Sequence, residues 1–175
     1  MTITKVTNNL PYNALRRLTS RASLPKTTTL DVEQWSRDPG YLHISPPDQG
    51  SAFHDAMKGF LGSEELPGQH RKLYPFLNTI RKHLRNSGFT EFKTEAPVGN
   101  LRVHGRADIL ATGPGGSAAI EVKTVRALPD QPKPKHVVQG GMAGFLSDEG
   151  NRLQGLVVIY VDLRGKRIRS FAWES

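Results

Sequence analysis

Between residues 69 and 87 apolar side chains recur at intervals of three and four, at Leu73, Phe76, Leu77, Ile80 and Leu84, flanked by Arg71, Lys72, Arg81, Lys82 and Arg85. That spacing gives a helix one apolar stripe, and Gly88 supplies a stop. A shorter helix is predicted over 51–61, after a loop over 39–50 in which two consecutive prolines and flanking glycines interrupt helix and sheet alike. From residue 90 the pattern changes to alternation and short apolar runs, which predict strands over 90–98, 101–111 and 117–125. The stretch Thr112-Gly-Pro-Gly-Gly116 has tight-turn composition, so the three strands form an antiparallel meander. Three prolines make 128–135 a loop, a helix follows over 134–147, and strands over 154–162 and 166–173 close the chain. The predicted order is α, α, β, β, β, α, β, β in one α/β domain over 50–175. Residues 1–49 form an N-terminal arm and loop, with a short helix at 13–22.

Composition narrows the class. In 175 residues, 37% are hydrophobic and 23% charged, ordinary globular usage that indicates neither a disordered tail nor a coiled-coil rod. There is no cysteine, which removes disulfides, thiolate zinc sites, iron–sulfur clusters and thiol nucleophiles. Any metal must be held by oxygen or imidazole. No window approaches eighteen apolar residues and no secretory signal is visible, so a cytoplasmic protein without membrane contact is expected. The basic, Ser/Thr-rich stretch before Asp31 leaves mitochondrial targeting as the alternative. With 24 Lys and Arg against 16 Asp and Glu, the net charge of +8 favours a polyanionic partner.

Candidate chemistry is concentrated in the hairpin. Alternation puts Glu121 and Lys123 on one face of their strand, with Ile120 and Val122 on the other. If the hairpin turns about Pro114 and Gly115, paired residue numbers sum to 229, which sets Asp108 opposite Glu121. Facing carboxylates repel unless something neutralises them, and a divalent cation, Mg²⁺ or Mn²⁺, is the simplest neutraliser for an oxygen-rich site. Such an ion acts as a Lewis acid on a phosphate and lowers the pKa of bound water, while Lys123 stabilises developing charge. A second Glu-x-Lys triplet, Glu91-Phe-Lys93, lacks this apolar context. The competing account of the hairpin is a cross-strand Asp108–Lys123 salt bridge on a wet face, contributing about 0–1 kcal/mol.

An Asp, a hairpin and then Glu-x-Lys resembles the PD-(D/E)XK nuclease superfamily. The likeness is greatest to its RecB-like, Cas4-like and lambda-exonuclease-like group, and it extends over about residues 50–162. It implies a restriction-endonuclease-like core: a mixed sheet begun by a three-stranded antiparallel meander and flanked by helices. In that pattern Gly50-Ser-Ala-Phe-His54 matches a motif whose histidine ligates metal, Glu95 matches a first-strand glutamate, and Gly105-Arg-Ala-Asp108 matches Gly-x-x-Asp. Gln139 stands where the group carries Gln-x-x-x-Tyr, but Ala143 replaces the tyrosine. The resemblance thus implies His54, Asp108 and Glu121 as metal ligands with Lys123 and Gln139 assisting. Each residue has a plainer reading as well: a core histidine for His54, a strand-edge charge or substrate-contacting group for Glu95, a helix-surface amide for Gln139.

Basic residues that follow the proposed catalytic strand, Arg126, Lys133 and Lys135, are placed to track a phosphate backbone, and Arg106 is a further substrate candidate. No helix-turn-helix, finger or aromatic-rich RNA-binding strand is visible. No Walker loop is present, so any helicase activity would come from a separate helicase or recombination partner. The expectation is a divalent-metal-dependent DNA nuclease, exonuclease-like. Its alternatives are a vestigial nuclease fold that binds nucleic acid or a protein, and an RNA-directed nuclease with the same site.

Overall fold

Prolines that interrupt a helix interior are harmless in its first turn, where the amide they lack would have no acceptor in any case. In the computed structural model, which describes residues 24–32, 46–63, 68–99, 104–146 and 153–174, helix α1 spans Pro46–Ser63 and starts on the two prolines. Residues 46–50 of the expected loop are therefore helical, and 39–45 lie outside the described residues. The helix expected over 69–87 divides into a 3₁₀ turn, Gly68–Leu73, and α2, Tyr74–Asn86. Pro75 explains the division, because it has no N–H to bond the carbonyl four residues earlier. Helix α2 buries Phe76, Leu77, Ile80 and Leu84, as its spacing requires. It stops where Gly88 takes φ +93° and the Phe89 amide bonds Leu84 O at 3.1 Å.

The strands are β1 Lys26–Asp31, β2 Glu91–Gly99, β3 His104–Gly113, β4 Gly116–Val125, β5 Leu153–Asp162 and β6 Arg167–Glu174. Among the described residues they make one sheet in the order β1-β6-β5-β4-β3-β2. All neighbours are antiparallel except β4 and β5, which run parallel and are joined by a crossover through α3, Pro134–Leu146. The meander β2-β3-β4 matches expectation. Strand β1 does not: its six residues pair along β6 from Lys26–Ala172 to Asp31–Arg167, so a segment assigned to an arm belongs to the sheet. Its run of threonines carries no apolar alternation that would mark it as a strand. The helix expected at 13–22 lies outside the described residues.

Two apolar layers sandwich the sheet. Phe53, Met57, Leu77 and Ile80 of α1 and α2 pack on Ile109, Ile120, Val122 and Ile159. Ala143 of α3 packs over Leu110, Leu156, Val158 and Tyr160. Strand β5 is thus covered on both faces, which is why residues 156–161 are continuously apolar. Gly140 of α3 serves contact rather than interruption: a Cβ there would lie 2.9 Å from Leu156 Cδ1 and 3.1 Å from Glu121 Cβ. No helix among the described residues is long and apolar enough to cross a membrane.

The hairpin between β3 and β4 provides a stability test. A Cβ on Gly113 would fall 2.0 Å from the Gly88 carbonyl oxygen, whereas one on Gly115 meets nothing within 4 Å. Gly113→Ala should lower the unfolding free energy by about 1–3 kcal/mol, the usual cost of overpacking. Gly115→Ala should stay within about 0.5 kcal/mol of wild type. Urea denaturation of the pair checks this.

Candidate metal centre

The site begins with a fault in the sheet. Pairing of β2 with β3 keeps its register from Glu91–Thr112 to Gly99–His104, yet the faces exchange partway along. Phe92, Ile109 and Ala111 face α1 and α2, whereas Ala96, Val98 and Ala107 join the α3 side. The exchange falls at Glu95, whose φ of +48° lies in the left-handed region, and at Asp108 across from it. Such a conformation costs a glutamate about 1–3 kcal/mol and persists only where surrounding contacts enforce it.

Both carboxylates meet His54 of α1. Its Nδ1 lies 3.6 Å from Glu95 Oε1 and 3.7 Å from Asp108 Oδ1. One ligand atom from each of the three residues falls within 4.8 Å of the others, a grouping drawn from three separate elements. Asp108 is fixed from behind. The β3–β4 ladder runs from Gly113–Gly116 to Ile109–Ile120, following the expected sum of 229, and stops there. At the next step the Val122 amide donates instead to Asp108 Oδ2 at 2.8 Å. A side chain thus replaces a ladder bond, which leaves the other carboxylate oxygen for His54.

Glu121 is 1% exposed, under α3. Lys123 Nζ forms an ion pair with its Oε1, and that buried oxygen has no further polar partner. Burial chiefly, then the Asp108 charge, pushes the Glu121 carboxyl up to about 7 against the pull of Lys123, and Glu95 adds to the rise. Glu121 is therefore coupled electrostatically to the group of three without being part of it. The carboxylates of Glu95 and Asp108 and the imidazole of His54 form a donor set that suits a hard divalent cation, with the Glu121 carboxylate beside it. The nitrogen donor moves the preference from Mg²⁺ towards Mn²⁺.

Of the ligands implied by resemblance, His54 and Asp108 are brought together. The third member of their group is Glu95, while Glu121 stands beside it in the grip of Lys123. Lys123 pairs with Glu121 rather than Asp108. Arg106 is 73% exposed and lies 3.7 Å from Glu95 Oε2. Arg126 and Lys133 are exposed on the connection between β4 and α3, and Lys135 and Gln139 are exposed on α3 itself. Glu91 and Lys93, the second triplet, lie exposed on β2.

Sequence reasoning grouped His136 with the basic residues after the proposed catalytic strand and passed over its neighbour Tyr160. The Tyr160 hydroxyl accepts the Lys133 amide at 2.8 Å and lies 2.9 Å from His136 Nδ1. Burial first, then Lys123, Lys135 and Lys133, pushes His136 down to about 4. A neutral ring leaves Nδ1 free to take the hydroxyl proton. The available signal was a lone phenol within the aliphatic run of β5, since a buried tyrosine needs a partner for its oxygen.

No protein-family model matches the chain, and no curated protein matches it.

Two groups impose opposite pH dependences on stability. The raised Glu121 pKa favours the fold below about 4.5, and that contribution disappears as pH rises towards 7. The lowered His136 pKa favours the fold above 6.5, and that contribution disappears as pH falls towards 4. Comparing wild type with Glu121→Gln in chelator isolates the first. The variant should gain urea resistance relative to wild type between pH 5 and 7.5, and a constant difference would contradict the raised pKa.

Proposed function

We propose that this chain is a divalent-cation-dependent DNA nuclease, exonuclease-like, that hydrolyses phosphodiester bonds. The observation that carries the reading is the convergence of His54, Glu95 and Asp108 from three elements, with the Glu121–Lys123 pair on the adjoining strand. His54, Glu95 and Asp108 would hold the ion, with Glu121 as the further carboxylate. When bound, a divalent cation polarises a phosphate oxygen and makes hydroxide available at neutral pH.

The remaining work falls to side chains. Three carboxylates would repel a phosphate backbone, so cations must offset them for DNA to approach at all. Arg106 stands against Glu95, and Lys123 against Glu121. Because Lys123 is fixed on a buried strand, its ammonium meets charge developing on the phosphate without prior rearrangement. Arg126 and Lys133 extend the positive surface along the connection that follows, and Lys135 continues it onto α3. DNA as the substrate, and action from ends, are supported by the resemblance to RecB-like and lambda-type exonucleases.

In Mg²⁺ or Mn²⁺ the protein should degrade linear DNA, leave circles intact and be silenced by EDTA. Asp108→Ala and Lys123→Ala should each lower the rate by about 10²-fold or more. Cleavage that survives either substitution defeats the site assignment. Metal-independent binding without cleavage would identify a vestigial site, and cleavage of RNA alone an RNA-directed enzyme.

Metal affinity gives a separate check on the ligand set. Glu95→Gln should raise the half-saturating Mn²⁺ concentration about 10-fold or more. A metal titration unaffected by that change would remove Glu95 from the ligands.

A further inference from the structure

The connection between β4 and α3 contains two prolines, Pro129 and Pro132, yet two side chains pin it to the sheet. At its middle, Arg169 of β6 donates to Pro129 O at 2.9 Å and to Asp130 Oδ1 at 3.0 Å, while its Nε bonds Thr29 of β1 at 3.1 Å. At its end the Tyr160 hydroxyl accepts the Lys133 amide, and the His136 amide bonds Lys133 O at 2.9 Å, closing a tight corner. Tyr160 is also the register partner of Lys123 in the parallel β4–β5 ladder, so the two side chains share a face. The phenol that holds the corner thus stands beside the lysine proposed to face the scissile phosphate. Lys133 and Lys135 flank that corner with exposed side chains, and both, like Lys123, lie near enough to His136 to depress its protonation.

We infer that the Tyr160 hydroxyl is a positioning group for DNA: it locks the Lys133–His136 corner beside Lys123 so that Lys133 and Lys135 meet phosphates of the strand held there. The inference depends on the proposed nuclease reading for the identity of the polyanion. Tyr160 itself does not touch substrate. Its ring packs edge-on against Phe171 at 5.9 Å, and Tyr160→Phe keeps that packing while removing the oxygen. Without it the two lysines retain their charge but lose a fixed place, and binding must supply the ordering cost.

The test is a double-mutant cycle on DNA affinity, measured by anisotropy in chelator, where no cleavage competes. Lys133→Ala combined with Lys135→Ala should reduce the slope of log K against log salt by about 1.8 for duplex DNA, two phosphates' worth. Tyr160→Phe should weaken binding about 2- to 10-fold in the wild-type background. In the double-lysine background it should have no further effect, because the hydroxyl acts through those side chains. Additive effects, or an unchanged salt slope, would overturn the inference, as would a wild-type protein that does not bind DNA. Should Tyr160→Phe fail to fold, His136→Ala removes the imidazole that orients the same hydroxyl and takes its place in the cycle. A protein that shows the coupling yet never cleaves DNA retains this inference and loses the nuclease reading. One that cleaves with an additive cycle does the reverse.

Discussion

Repulsion among Glu95, Asp108 and Glu121 is the constraint around which this part of the molecule is arranged. Carboxylates at such separations do not stay together unless each has something to offset its charge or fix its position. Asp108 has the Val122 amide, Glu121 has Lys123, and Glu95 has Arg106 at a distance and a backbone forced into positive φ. These three arrangements differ in kind. A backbone amide fixes a carboxylate without neutralising it, a lysine neutralises it, and a strained φ only holds direction. Together they leave net negative charge at one place, a state that a proton at Glu121 or a bound cation would relieve. The elevated proton affinity of Glu121 expresses the same imbalance as the affinity for a metal would.

Much of this was legible in the chain because it depends on local counting. The hairpin turn fixed the register that brings Asp108 to β4, and the apolar residues flanking Glu121 fixed which face that side chain takes. The role of Glu95 was harder to see. Strict alternation assigns faces along β2 and β3, and alternation fails where both strands exchange faces at Glu95 and Asp108. No residue type announces that exchange, since a glutamate at positive φ has no sequence signature of the kind glycine provides. Strand β1 escaped for a different reason: it is a polar edge strand whose assignment comes from pairing with β6, 140 residues away, and not from its own pattern. The two prolines at 46 and 47 misled because their effect depends on whether they stand inside a helix or at its start.

Positive charge, which at the level of composition pointed only to a polyanion, is distributed with more discrimination in the fold. Lys123 is committed to Glu121, Arg106 lies against Glu95, and Arg169 is used internally to tie β1, β6 and the proline-rich connection together. Lys133 and Lys135 remain on the surface beside the carboxylate group. Net charge therefore overstates how many cations are free to meet a ligand, and understates how narrowly those that are free have been placed.

The pairing of β1 with β6 has a consequence for the order of assembly. Lys26 lies opposite Ala172 and Asp31 opposite Arg167, so β1 waits for a strand made long after it. On a ribosome that synthesises from the N-terminus, the threonine strand would emerge first and remain without its partner until β2 to β5 had followed. Its polar character then suits it to waiting: an unpaired strand of threonines and a lysine is a poor template for aggregation, whereas the aliphatic run of β5 emerges only shortly before β6 can cover its edge.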